Sequence, residues 1–213
     1  MGVEKRSMAE HAYIVLRDRL ILLEIPPGSP INESELATEL GVGRTPIREA
    51  LKRLEVDHLV ASFPRRGTFA TQIDITDLEA VSQMREALEP LASYRAALTQ
   101  GNGQQAELER TMRDIRSLNP GQAPRELLAY DLQVHRLIYR AAGNELLEET
   151  LVRLDNLATR MWGLVIERLP DIHGHIVEHI ELIEAILNGD APAAKKLAAG
   201  HVKSFARAVR GVV

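Results

Sequence analysis

Four side chains in the second half of the chain have the types and spacing of metal ligands. Asp131 and His135 are four residues apart, so on a helix their side chains stand on one face. His179 and His201 follow at separations of 44 and 22 residues. Three imidazoles with one carboxylate suit Zn²⁺, Ni²⁺ or another first-row divalent ion. The four side chains Asp131, His135, His179 and His201 are therefore candidate ligands for one divalent transition metal per chain.

Other roles are open for these side chains. A single helical histidine is more often a hydrogen-bonded core or surface residue than a ligand, and Asp131 with His135 could form an ordinary helix-surface pair. His175 lies four residues before His179, so these two are a rival pair of ligands. His173 and His175 lie near a predicted helix start, where we expect both to be exposed.

Cationic side chains in the first third of the chain have a spacing that suits nucleic acid. Arg44, Arg48 and Lys52 are four residues apart, so a helix presents all three on one face. Such a face on the second of two helices fits the DNA major groove, where arginine pairs with guanine or holds a phosphate. An ordinary solvated helix face is the alternative. We expect a DNA-binding surface made of Ser34, Arg44, Thr45, Arg48, Lys52, Arg65, Arg66 and Gly67.

The residues around this face predict a helix, a turn, a second helix and a hairpin between residues 33 and 71. Apolar residues at helical spacing give each helix one buried face. Gly41 and Gly43 permit a sharp turn between the helices. Thr45 is expected to cap the second helix and Pro46 to be its first residue.

Further elements flank this motif. Apolar periodicity predicts an amphipathic helix over 9–23, which the prolines after it end. Asn32 is expected to cap the helix before the turn. Strands are predicted at 59–63 and 68–71, joined by a basic turn at 64–67 that forms a wing.

The run from Leu40 to Leu51, LGVGRTPIREAL, resembles the winged helix-turn-helix of GntR-family transcription regulators. The resemblance covers about residues 9–72 and implies three helices and a wing. Gly43 stands where the family commonly has Ser, so one hydroxyl donor to phosphate is absent, and Ile47 replaces Val. His58 stands where the family usually has a left-handed Gly, so we expect a strained but intact helix end there.

Only helical patterns follow the wing. A capping box at 76–79 is expected to open the first of these helices, and the whole is an all-α bundle of about 140 residues. Six helices are predicted, near 77–98, 104–117, 124–142, 145–168, 173–188 and 191–210.

This bundle is similar to the ligand-binding domain of the FadR-like branch of the GntR family. The motif DLQVH at 131–135, the Gly143-Asn144 pair and the two later histidines carry the resemblance, and the six-helix count looks like the smaller VanR-type subgroup. The resemblance implies that the one Asp and three His converge on a metal. It also implies that Arg85 pairs with an effector carboxylate, with Arg160 a weaker second candidate. A surface or interface salt bridge from Arg85 to a neighbouring glutamate, Glu86 or Glu89, is the alternative.

Composition limits the other classes of protein. The chain of 213 residues has 45% hydrophobic residues and no cysteine, which predicts a packed core without disulfides. The formal net charge is −4, yet residues 1–73 are neutral, with ten basic and ten acidic side chains. Residues 1–6 lack the apolar segment of a signal peptide, and no apolar run is long enough for a membrane span, so a cytoplasmic protein is expected.

These observations predict a mainly α protein of two domains. Residues 1–73 are the expected winged helix-turn-helix, and residues 74–213 the effector-binding and dimerisation domain. We expect that the protein is not an enzyme but a transcription regulator, and more specifically a repressor. It is expected to bind a palindromic DNA operator as a homodimer and to respond to a small organic acid bound at the metal. A metal-dependent hydrolase bundle fused to a DNA-binding domain, or an architectural DNA binder without effector, are the alternatives.

Overall fold

The computed structural model describes residues 7–169 and 171–212. They belong to two compact units, Met1–Ile73 and Asp74–Val213. The predicted fold class is confirmed, because the described chain is mainly helical with one small sheet. The charged start of the chain, residues 1–6, lies outside the described residues.

The first unit is a three-helix motif with a small antiparallel sheet. Its core lies between the first and third helices, where Leu16, Leu20, Ile47 and Leu54 are at most 1% exposed. The third strand lies in the middle of the sheet. It pairs with the second strand to form the wing hairpin and with the first strand on its other edge. The elements are α1 (Met8–Ile21), β1 (Pro30–Ile31), α2 (Glu33–Glu39), α3 (Arg44–Val56), β2 (Val60–Phe63) and β3 (Gly67–Ala70).

His58 terminates α3 in the left-handed conformation that the family resemblance implies, with φ 59°. Its backbone N–H donates to the Glu55 carbonyl at 3.1 Å, and the Leu59 N–H donates to the Leu54 carbonyl at 2.9 Å. These two bonds form a Schellman motif, which satisfies carbonyls that the helix itself leaves free.

Two of the predicted caps are wrong. Helix α3 begins at Arg44 after Gly43, so Thr45 and Pro46 lie inside its first turn. A proline is tolerated there because the first-turn N–H groups have no partner within the helix. The expected box at 76–79 is replaced by a 3₁₀ turn whose cap is Asp74, because Asp74 accepts both the N–H and the hydroxyl of Thr76. The Asn32 cap is confirmed.

The second unit is a helical bundle in which α4 packs along α9 and α7, while α6 and α8 complete the interior. The predicted helices are confirmed to within about three residues at each end. No described helix is both long enough and apolar enough to span a membrane. The elements are α4 (Leu78–Leu98), α5 (Gln105–Arg116), α6 (Pro124–Ala141), α7 (Glu145–Val165), α8 (Ile172–Leu187) and α9 (Ala191–Arg210), with 3₁₀ turns at Ile75–Asp77 and Ile166–Arg168.

Candidate metal centre and DNA-binding surface

The bundle brings the one Asp and three His of the predicted ligand set to a single point. Asp131 and His135 extend from α6, His179 from α8 and His201 from α9, and one ligand atom of each lies within 4.8 Å of the others. All four residues are buried, with exposed fractions of at most 5%. The Nε2 atom of His135 lies 3.3 Å from Nε2 of both His179 and His201.

Two of the imidazoles are oriented by acceptors on their outer nitrogens. His179 Nδ1 lies 3.1 Å from the Ile176 carbonyl oxygen, and His201 Nδ1 lies 2.9 Å from the carboxylate of Glu178. A carbonyl or a carboxylate only accepts, so each Nδ1 carries the hydrogen. The Nε2 lone pairs of both rings are thereby directed to the centre of the cluster.

The third imidazole is oriented by a buried network. Tyr139 donates its hydroxyl hydrogen to Glu89 at 3.0 Å, and its oxygen lies 3.2 Å from His135 Nδ1. The other Glu89 oxygen is 3.5 Å from the same nitrogen. His135 Nδ1 therefore donates to this network, and its Nε2 lone pair also faces the centre.

This donor set fits a divalent metal. The Nε2 atom of His135 lies 3.3 Å from each of the other two Nε2 atoms, which is about the edge of a tetrahedron with metal–nitrogen bonds of 2.0–2.1 Å. Asp131 Oδ1 is buried and has no hydrogen-bond partner. Converging lone pairs beside a buried carboxylate repel one another unless a cation lies between them.

Burial keeps the imidazoles in the neutral form that binds metals. It lowers the pKa of His179 to about 4, and burial together with the neighbouring His179 lowers the pKa values of His135 and His201 well below the usual range. Burial, and next the neighbouring Asp155 carboxylate, raises the pKa of Asp131. A bound cation would lower the pKa of Asp131 again, because a positive charge beside the carboxylate favours its ionised form.

The predicted effector residues lie in the bundle interior. Arg85 is 4% exposed, and its guanidinium bonds Glu89 at 2.5 Å and Asp155 at 3.2 Å. The alternative of a salt bridge to Glu89 is therefore confirmed in its partner, but this salt bridge is buried in the bundle and not on the surface. Arg160 is 2% exposed, and burial lowers its pKa to about 10.

The expectation that His173 and His175 are exposed is wrong. His173 is partly buried, and the His175 side chain is 11% exposed, with its ring stacked on His201 at 4.0 Å between centroids. Helix α8 begins at Ile172, so its first turn already packs in the bundle. His175 Nδ1 is also 3.8 Å from the Glu178 carboxylate. His175, Glu178 and His201 together form a second, smaller cluster of possible metal ligands.

The ring-orienting residues were missed by the sequence analysis. Tyr139 lies four residues after His135, and Glu89 four after Arg85, so helical spacing could have indicated both. Glu178 precedes His179 directly and contacts His201 of a different helix, which only the packing of α8 on α9 reveals.

The predicted DNA-binding side chains lie on the surface of the first unit. All eight of them are exposed, while Ile47, Ala50, Leu51 and Leu54 bury the opposite face of α3. Arg48 Nε bonds Glu33 at 2.8 Å but remains 64% exposed. In contrast, Arg53 of the same helix pairs with Glu10 and lies 3.8 Å above the Tyr13 ring, so it faces α1.

Comparisons with known proteins match both units. The model of the FCD domain matches residues 80–204, and that of the bacterial regulatory proteins of the gntR family matches residues 8–70. HTH-type transcriptional repressor RspR of Escherichia coli (strain K12) is 23% identical over 203 residues, which is 95% of this chain and 89% of that protein. An HTH-type transcriptional regulator of Agrobacterium vitis is 32% identical over 151 residues, 71% of this chain and 82% of that protein. The structure of E. coli McbR/YncC has a TM-score of 0.82 at 18% identity and covers 97% of this chain and 98% of its own.

Proposed function

Because this chain belongs to the gntR family of bacterial regulatory proteins and carries an FCD domain, we propose that it is a homodimeric repressor whose FCD domain binds a small carboxylate at a metal. As its relatives are, it is a DNA-binding transcription regulator and not an enzyme. Its domains are residues 1–73 for DNA and residues 74–213 for the effector. Its place of action is the cytoplasm, where it would meet its operator.

In this proposal α3 is the recognition helix and the wing contacts the flanking backbone. Arg48 and Arg44 read base edges or phosphates, and Lys52 adds a phosphate contact, because these side chains are exposed on one face of α3. Arg65 and Arg66 extend from the tip of the hairpin, where they suit phosphates or a narrow minor groove.

The metal proposal rests on the three Nε2 lone pairs that face one point. Asp131, His135, His179 and His201 would hold a divalent ion such as Zn²⁺ or Ni²⁺, and the ion would supply a positive centre for an effector carboxylate. The six helices and this ligand set support placement in the VanR-type subgroup. Arg85, although paired with Glu89 and Asp155, lies in the same interior and could rearrange toward the carboxylate, with Arg160 as second candidate.

The homodimer in this proposal is expected because a palindromic operator has two half-sites, and an exposed apolar seam on α4 supports it. Two recognition helices on a palindrome give affinity and half-site spacing that a single domain cannot provide. Met84, Leu91 and Leu98 are exposed by 49%, 44% and 63%, and they recur every seven residues along α4. Such a seam suits a second helix, and we assign it to a second copy of this chain. An effector would then act through different affinities for two arrangements of the dimer.

Metal analysis of the purified protein tests the proposal. We expect about one divalent ion per chain by elemental mass spectrometry, and its loss in His179→Ala. His173→Ala is the matched control, because this histidine is on the same helix outside the cluster. Carboxylates that bind the metal-loaded protein should then lower its operator affinity in gel shifts. Wild-type protein without metal, or operator affinity indifferent to both metal and carboxylates, would instead favour an architectural DNA binder.

A further inference from the structure

A cavity of about 310 Å³ lies beside the metal centre, between the end of α7 and helices α8 and α9. Trp162 and Phe205 form an aromatic wall, with ring centroids 3.4 Å apart and an interplanar angle of 23°. His175 and Glu178 separate the cavity from His201. The volume is at the lower end of small-molecule sites, so it suits a compact ligand.

The charged groups of this cavity are of one sign. Asp171 and Glu178 line it, and no Lys or Arg is among its described lining residues. Asp171 caps α8 through a bond from the Gly174 N–H at 2.7 Å, and Glu178 accepts from His201, so both carboxylates are held in place. An anion there would meet two carboxylates and no Lys or Arg among the described lining residues, whereas a cation would be attracted by both carboxylates.

The aromatic wall favours the same ligand. An ammonium group over the face of Trp162 gains cation–π attraction, which increases when water is excluded, whereas the Phe205 ring already has the Arg85 guanidinium 5.5 Å from its centroid. The Trp162 indole nitrogen is buried and has no hydrogen-bond partner, so a ligand with an oxygen acceptor would satisfy its N–H.

We propose that this cavity binds a small organic cation, an ammonium group on a compact apolar body, with Asp171, Glu178 and the aromatic wall as its recognition elements. The site is distinct from the proposed carboxylate position at the metal, and its occupancy does not depend on the metal. Two sources share this chemistry: a free amine, or the amino end of an amino acid whose carboxylate oxygen accepts from Trp162.

The emission of Trp162 tests the proposal directly, because it is the only tryptophan of the chain. The full-length protein, chelated and metal-loaded, is titrated with 2-phenylethylamine, phenylacetate and phenylalanine. We expect 2-phenylethylamine to change the emission in both preparations, at a concentration at least about tenfold lower than phenylacetate in the chelated protein. Phenylalanine binding more tightly than the amine would identify the amino acid source, and weaker binding the free amine; both outcomes support the cation site.

Asp171→Asn provides the decisive variant. Asparagine keeps the helix cap but removes the charge, so α8 should remain intact while amine binding weakens about tenfold. Glu181→Gln, an exposed residue of the same helix, should leave the affinity unchanged. The proposal is overturned if phenylacetate binds the chelated protein as tightly as the amine, if the amine leaves the emission unchanged at millimolar concentration, or if Asp171→Asn binds it normally. If the purified wild-type protein holds no metal, only the proposed metal site is refuted. The amine site is tested separately, because the amine titration is also made in chelated protein.

Discussion

Asp131→Asn should change the stability of the FCD domain in opposite directions with and without metal. Asparagine has the same shape as aspartate but no charge. In chelated protein the wild type buries a carboxylate whose Oδ1 has no hydrogen-bond partner, near the Asp155 and Glu89 carboxylates. Removing that charge should stabilise the chelated protein, whereas in metal the variant loses a ligand and should be less stable than the wild type.

The two magnitudes follow from burial and from binding linkage. Relief of a buried, unsatisfied polar group is worth about 1–3 kcal/mol, which raises the melting temperature of a domain of this size by about 3 °C or more. A metal at 1,000 times its Kd stabilises the wild type by about 4.1 kcal/mol. A hundredfold weaker Kd leaves about 1.4 kcal/mol, so the metal-loaded variant is the less stable protein for any gain in chelator below about 2.7 kcal/mol. With a gain of about 1 kcal/mol in chelator, the metal-loaded variant should be less stable by about 1.7 kcal/mol and melt about 5 °C lower.

Thermal unfolding followed by Trp162 emission measures this domain alone, because the chain has no other tryptophan. Wild type, Asp131→Asn and the exposed control Asp114→Asn are each melted with excess Zn²⁺ and with chelator. The control should behave as the wild type under both conditions. A variant that is destabilised equally with and without metal would refute the reasoning, because Asp131 would then stabilise the fold without a cation.

Four further variants test the other assignments. Arg48→Ala should weaken specific operator binding by about 1–3 kcal/mol, the loss of one bidentate base contact, in a gel-shift series against operator and random DNA. Glu178→Gln should weaken metal binding about 10–100-fold in a chelator competition, because it removes the charged acceptor that orients His201. Leu91→Glu should place a charge in the α4 seam and give monomers in analytical ultracentrifugation. His58→Gly should raise the free energy of unfolding by about 1 kcal/mol in urea, because glycine adopts positive φ without strain.

Each variant has a matched control. Arg53→Ala should affect stability but leave the specificity ratio unchanged, because this arginine faces α1. Glu181→Gln should bind metal as the wild type does. Leu146→Glu, which charges a leucine that is 77% exposed on α7, should remain dimeric. His58→Ala should not gain stability, since alanine has the same strain at positive φ. An unchanged specificity ratio for Arg48→Ala, unchanged metal affinity for Glu178→Gln, a dimeric Leu91→Glu or an unstabilised His58→Gly would each contradict its assignment.

Local features of the sequence determined the elements and part of the site. Helical periodicity, glycines and capping residues are interactions over a few residues, so they placed the bundle helices to within about three residues. The same reasoning put Asp131 and His135 on one face of α6, whereas positive φ at His58 was predicted from the family resemblance. Local reasoning was weaker at Thr45, because Gly43 takes the cap position and α3 begins at Arg44. It also missed β1, whose two residues form a strand by pairing with the distant β3.

The tertiary structure alone decided how the helices complete the cluster. No local rule brings α8 and α9 against α6, so the convergence of three Nε2 atoms and the acceptors behind the rings come from packing. Burial of His175 and the pairing of Arg85 with Asp155 of another helix also depend on contacts between helices. Sequence periodicity indicates which face of a helix is buried, but the partner of each buried polar group depends on the neighbouring helix, because only there does desolvation require a specific contact.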